Sequence, residues 1–152
     1  MVLLGTVAVC IISVGFAVME NAPKIEEFYK EGIDAYQDAE RLEKIFPEGA
    51  KVEYELAIKL FERGGYGDNK SEFDDDATYK IAQSYDRLIQ FAKSDDEKID
   101  LMKKAEDKYT RIVMEYPVSP FNGPSDSRLI AIRKALGEMQ KKQSKASKVM
   151  RN

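Results

Sequence analysis

The chain has 152 residues, 43% hydrophobic and 34% charged, with a formal net charge of -3, which fits one small domain or a short repeat array. It contains no histidine and a single cysteine, Cys10. Histidine-based triads, imidazole acid–base chemistry, His-containing zinc sites, intramolecular disulfides and Cys-x-x-Cys redox chemistry are therefore excluded.

The first element is apolar. Val2 to Met19 reads VLLGTVAVCIISVGFAVM, eighteen residues without a charge. As a helix it spans about 27 Å at 1.5 Å per residue, close to the ~30 Å hydrocarbon core of a bilayer. Three readings stand: a retained transmembrane anchor, a cleaved secretory signal, and a lipoprotein signal ending at Cys10. Against the last, Val9 precedes Cys10 where a small residue is wanted, and no Lys or Arg lies upstream. A secretory signal normally carries a basic n-region, which is missing, although Gly15 and Ala17 allow a small-x-small cleavage site. The expectation is a retained anchor over residues 1–20. Thr6, Cys10, Ser13 and Ala17 fall on one face of that helix and suit close packing against another transmembrane helix. Few cations flank the span, which favours export of the C-terminal side, the periplasm for a bacterial inner membrane.

From Pro23 the pattern becomes amphipathic helix, with Phe28, Tyr29, Gly32, Ala35 and Tyr36 at helical spacing. No stretch alternates as a strand. The chain then repeats itself: residues 54–65 align with residues 102–113, placing Ala57 on Ala105 and Phe61 on Tyr109 at an offset of 48. Upstream, Gly32 with Phe28 and Tyr36 is answered by Ala82 with Tyr79 and Tyr85. Two helix pairs in tandem are expected. Gly64, Gly65 and Gly67 close the first pair, the Asp74, Asp75, Asp76 run suits a helix N-terminus, and Ser94 with Glu97 forms a capping box. Asn122, Gly123 and Pro124 read as the close of the second pair. A last helix from about Ser127 carries Leu129, Ile132, Leu136 and Met139 on one stripe, as a terminal cap would.

These residues resemble the tetratricopeptide repeat (TPR) family. Ala105, Tyr109, Ile112 and Pro117 reproduce the spacing of its second helix, and Ile81, Ala82 and Tyr85 that of its first. The first repeat matches at Gly32, Ala57, Phe61 and Gly64, with Asn69 where the family has proline. Tyr85 to Ala105 and Ala35 to Ala57 are 11 and 13 residues longer than the family spacing. Enlarged repeats followed by the segment EYPVSPF (residues 115–121) are similar to TPR proteins of bacterial envelopes, the BamD-type assembly lipoproteins among them, though without a lipoprotein signal. The resemblance implies an all-α fold: one transmembrane helix, then a short TPR-like solenoid over residues 21–140 with about two helix pairs and a capping helix, then a basic tail over residues 141–152. It also implies a protein-binding groove lined by Tyr29, Ile33 and Tyr36 in the first repeat and Tyr79, Gln83 and Asp86 in the second.

Charge is segregated. Residues 20–76 carry a net -9, residues 77–121 balance, and residues 122–152 carry +6. The basic end, with Lys141, Lys142, Lys145, Lys148 and Arg151, suits a helix C-terminus and has no stacking aromatics for nucleic acid. Asp68, Glu72, Asp74, Asp75 and Asp76 lack the ligand pattern of a calcium loop and read as caps and solvated acids. No Walker loop, nucleophile elbow or carboxylate pair in an apolar run is present. No catalytic residue, metal or cofactor is expected, nor a small-molecule substrate or nucleic-acid partner. The expected role is a non-enzymatic, single-pass membrane accessory subunit that binds protein subunits of a larger complex. The alternative is an envelope-biogenesis adaptor for exported protein clients.

Overall fold

A computed structural model describes residues 25–65 and 72–149, with side chains to residue 144. All regular structure in these residues is helical. We number the helices α1 (25–42), α2 (Pro47–Arg63), α3 (Asp74–Leu88), α4 (Asp95–Glu115) and α5 (Asn122–Val149), with a 3-10 turn at Ile89–Phe91 after α3. No helix among the described residues is long and apolar enough to cross a membrane. The expected anchor, with Thr6, Cys10, Ser13 and Ala17, lies outside them.

Each helix forms for reasons local to it. Pro47 opens α2 where its missing N–H costs nothing. Gly65, at φ 72°, turns the chain out of α2 in the left-handed region that glycine alone enters freely. Asp74, Asp75 and Asp76 place negative charge on the first turn of α3. Before α4, the Ser94 hydroxyl accepts from the Glu97 N–H at 3.1 Å, while the Glu97 carboxylate accepts from the Lys93 N–H at 2.7 Å. The capping box is thus shifted by one residue on its return half.

The order of contacts sets the helix directions. Tyr29–Asp76 and Tyr36–Gln83, then Tyr79–Phe121 and Asp86–Arg128, ascend together, so α1, α3 and α5 lie parallel. Tyr29–Phe61 and Tyr36–Tyr54, and Glu106–Arg133 and Asp95–Lys142, run oppositely, so α1 with α2 and α4 with α5 are antiparallel. The same contacts recur in both pairs. Tyr29 stacks on Phe73 at 4.6 Å and tilts against Phe61 at 6.0 Å. Tyr79 stacks on Phe121 at 4.7 Å and meets Tyr109 edge-on at 6.1 Å. One aromatic triad, two residues on the pair and one on the segment leading to the next helix, is therefore used twice. Small residues let the helices approach: a Cβ on Gly32 would sit 2.7 Å from the Phe61 ring, and Ala57, Ala82 and Ala105 are fully buried. The core divides accordingly into one cluster around Tyr36, Tyr54 and Phe61 and a second around Ala82, Tyr109 and Ile112. Leu129, Ile132 and Leu136 close the second cluster from α5, with Met139 partly buried beside them.

The long spacings from Ala35 to Ala57 and from Tyr85 to Ala105 are taken up by helix rather than loop, since only residues 43–46 separate α1 from α2 and residues 92–94 the 3-10 turn from α4. Two boundaries differ from expectation. Asn122, Gly123 and Pro124 begin α5 instead of closing a turn. Asn122 Nδ2 donates to the Ile112, Val113 and Tyr116 carbonyls at 3.2 to 3.4 Å, capping α4 from the next helix, and Pro124 occupies a first-turn position that needs no N–H donor. In addition, α5 continues to Val149, so residues 141–149 extend this helix.

Candidate protein-binding groove

Between α3 and α5 lies an open pocket of about 450 Å³. Helix α3 contributes Tyr79, Gln83 and Asp86, which recur at intervals of four and three and so share a face, together with Arg87. Gln90 follows from the 3-10 turn, Tyr109 reaches in from α4, and Pro124 and Arg128 come from α5. The two long walls are joined by a bidentate pair, Arg128 Nε and an Nη donating to the two Asp86 oxygens at 2.5 and 2.6 Å. Fork-to-fork geometry of this kind fixes orientation as well as adding energy. That hydrogen bond to Asp86 holds the Arg128 pKa above its ordinary value. Burial, reinforced by the Asp86 charge, pushes the Tyr79 and Tyr109 hydroxyls upward, so both are neutral donors at physiological pH.

The three second-repeat residues expected in a groove are thus gathered in one pocket. The first-repeat residues have other surroundings. Tyr36 is 1% exposed; its ring meets Tyr54 edge-on at 5.7 Å, and the Lys80 ammonium lies 4.3 Å from its centroid. Tyr29 is held in its aromatic triad and donates its hydroxyl proton to Asp76. Ile33 is half-buried against the first cluster. None of the three lines the α3–α5 pocket. The link between the two sets is Tyr36 Oη donating to Gln83 Oε1 at 3.3 Å.

Arg87, Gln90, Tyr109, Pro124 and Arg128 were not among the expected groove residues. Arg128 carried a usable signal, because the 48-residue offset that aligns Phe61 with Tyr109 also brings Lys80 onto it. Both cations bridge to the preceding parallel helix, Lys80 over Tyr36 and Arg128 onto Asp86.

One carboxylate expected to be solvated is instead interior. Asp74 is fully buried at the start of α3, where it accepts the Tyr116 hydroxyl proton and lies 3.7 Å from the Arg111 guanidinium. Burial, then the hydrogen bond to Asp74, pushes the Tyr116 pKa up to about 12. Among the described residues, no group of three or more metal-ligating side chains converges as a metal ion requires. The pocket itself offers amide, phenol and guanidinium groups suited to polypeptide backbone and side chains. No protein-family model matches the chain, and no curated protein matches it.

Proposed function

We propose that this chain is a non-catalytic, membrane-anchored scaffold of TPR-like build: an accessory subunit whose N-terminal apolar helix docks in a membrane complex while the repeat domain holds an extramembrane neighbour. The observation that carries the reading is the α3–α5 pocket, in which Tyr79, Gln83 and Asp86 meet Arg87, Tyr109 and Arg128 across two parallel helices. A concave strip of aromatic and polar groups on rigid helices suits a peptide segment of a partner. The uncharged span from Val2 to Met19 supports the anchor, with the domain on the periplasmic side of a bacterial inner membrane. Two helix pairs provide a short groove, which fits one fixed neighbour better than many clients.

Gentle detergent extraction of the native membrane, size separation and intact-mass spectrometry of the co-migrating chains test the reading. Stoichiometric recovery in one large complex, with residues 1–19 attached, is the expected result. A shortened free protein, or many substoichiometric clients, would favour the envelope-biogenesis adaptor. Gln83→Arg, which fills the pocket from its lining without touching either aromatic triad, should release the partner with the helical circular dichroism kept, while the lost acceptor of the Tyr36 hydroxyl should cost about 1 kcal/mol in the melting curve.

A further inference from the structure

Four exposed apolar side chains belong to the start of α2 and the connection before it: Ile45 and Phe46 in the α1–α2 connection, and Val52 and Leu56 on α2, exposed to 78%, 58%, 60% and 41%. Val52 and Leu56 are one helical turn apart. Phe46 joins them because its ring packs against Gly49, one turn before Val52 on the same face, where an added Cβ would be 2.3 Å from Phe46 Cδ1. The opposite side of α2 is already used, with Ala50, Tyr54, Ala57 and Phe61 buried in the core.

The repeat itself does not require this edge to be apolar. At the 48-residue offset, Ile45, Phe46, Val52 and Leu56 correspond to Lys93, Ser94, Asp100 and Lys104. The same scaffold positions are thus apolar in one repeat and polar or charged in the other, and the difference belongs to the first repeat's surroundings. On the anchor reading, on which this inference rests, those surroundings are a bilayer. Only residues 20–24 separate the apolar span from α1, a tether that reaches about 20 Å at most. The start of α1 lies beside the end of α2, with the Arg63 guanidinium 5.3 Å from the Phe28 ring. Helix α2, with 17 residues and thus about 25 Å long, therefore has its C-terminal end near the tether, and its far end meets the membrane surface when the helix lies along that surface.

We propose that the Ile45–Phe46–Val52–Leu56 edge inserts into the lipid surface and lays α2 along the bilayer, with Lys51 and Lys59 reaching back to the headgroups. Residues 44–63 hold four basic and four acidic side chains within a first repeat of net -9, so insertion is driven by apolar contact and gains nothing from anionic lipid. The α3–α5 pocket contains no α2 residue and remains available to a protein partner.

The chain has no tryptophan, which makes a single introduced indole a clean reporter. Full-length Phe46→Trp and, separately, Leu56→Trp would be reconstituted into phosphatidylcholine vesicles with and without acyl-chain bromination, and Asp100→Trp serves as the control from the second repeat. The expected result is blue-shifted emission and strong loss of intensity in brominated vesicles for Trp at 46 and 56. Emission at 100 should stay solvent-like, and adding anionic lipid should not deepen the shift or the quenching at 46 or 56. Solvent-like, unquenched emission at both positions in chains that float with the vesicles would overturn the proposal and leave the anchor intact. Blue-shifted but unquenched emission would overturn it in favour of a protein covering the edge. A chain absent from the floating fraction would sink the anchor reading and the lipid contact together.

Discussion

Glycine at 32 and glycine at 137 look alike in the sequence and differ completely in what surrounds them. Gly32→Ala gains about 1 kcal/mol of helix propensity, yet its Cβ would press on the buried Phe61 ring at 2.7 Å. Overpacking of that kind costs about 1–3 kcal/mol, so urea denaturation should find the variant destabilised. Gly137→Ala, with nothing within 4 Å of the new carbon, should instead be more stable by about 0.5–1 kcal/mol. Thr78 is fully buried, with no hydrogen-bond partner for its hydroxyl among the described residues. Thr78→Val removes a desolvated polar group at constant shape and should raise stability by about 1 kcal/mol. The tyrosines set the alkaline limit. Burial first, then Glu43 beside Tyr54, Glu62 beside Tyr85 and the Asp74 hydrogen bond at Tyr116, pushes each of these hydroxyls up to about 12. An unfolded tyrosine titrates at about 10, so above that pH the unfolded chain sheds protons that the folded one keeps, and stability falls. The stabilisation is complete below the unfolded value and is lost as pH rises from about 10 towards about 12; melting curves across that range should drop steeply. No histidine is present to bend the curve nearer neutrality. At this scale the small and aromatic packing residues were legible because helical spacing exposes them. Asp74 was not, since its partners Arg111 and Tyr116 lie 37 and 42 positions away and an acid before a helix already has a sufficient local explanation.

Two polar ties between helices differ in worth because their burial differs. Tyr116 anchors the segment after α4 to the fully buried Asp74 of α3. Tyr116→Phe should cost about 1.5–3 kcal/mol, the range for a hydrogen bond to a charged group. Arg128 is half exposed on its side of the Asp86 pair, and Arg128→Ala should cost no more than about 1 kcal/mol while opening one wall of the pocket. A difference in urea midpoint between the two variants checks the ranking. Helix existence was written in the sequence, and so were the starts of α3 and α4, where acids and the Ser94 cap act within one turn. The start of α5 was misread because Asn122, Gly123 and Pro124 are turn formers by composition. Asn122 instead finds three carbonyls at the end of α4, an arrangement visible only once the two helices are placed. For the same reason the pocket was half legible: its α3 residues follow a helical period, whereas Tyr109, Pro124 and Arg128 arrive from other elements.

Taken as a whole, the described chain is a row of neighbours. Each pair has its own cluster, and α5 completes the second one with Leu129, Ile132 and Leu136. A chain ended before Asn122 would uncover Tyr109 and Ile112 and lose the Arg128 wall, so it should melt with a broader, lower transition while keeping helical signal. Among the described residues, the outer face of α5 is mostly polar, with Ile130 its one large exposed hydrophobic side chain, consistent with an end that stops further stacking.

The side-chain bonds that join parallel helices link residues 42 to 47 positions apart, from Tyr29 with Asp76 to Asp86 with Arg128. Such a ladder has a mechanical corollary. A load entering through the N-terminus meets its rungs in sequence, at α1 first. Stretched in an optical trap, the molecule should peel in two successive rips, α1 and α2 before α3 to α5, and the second repeat would keep its pocket after the first has given way.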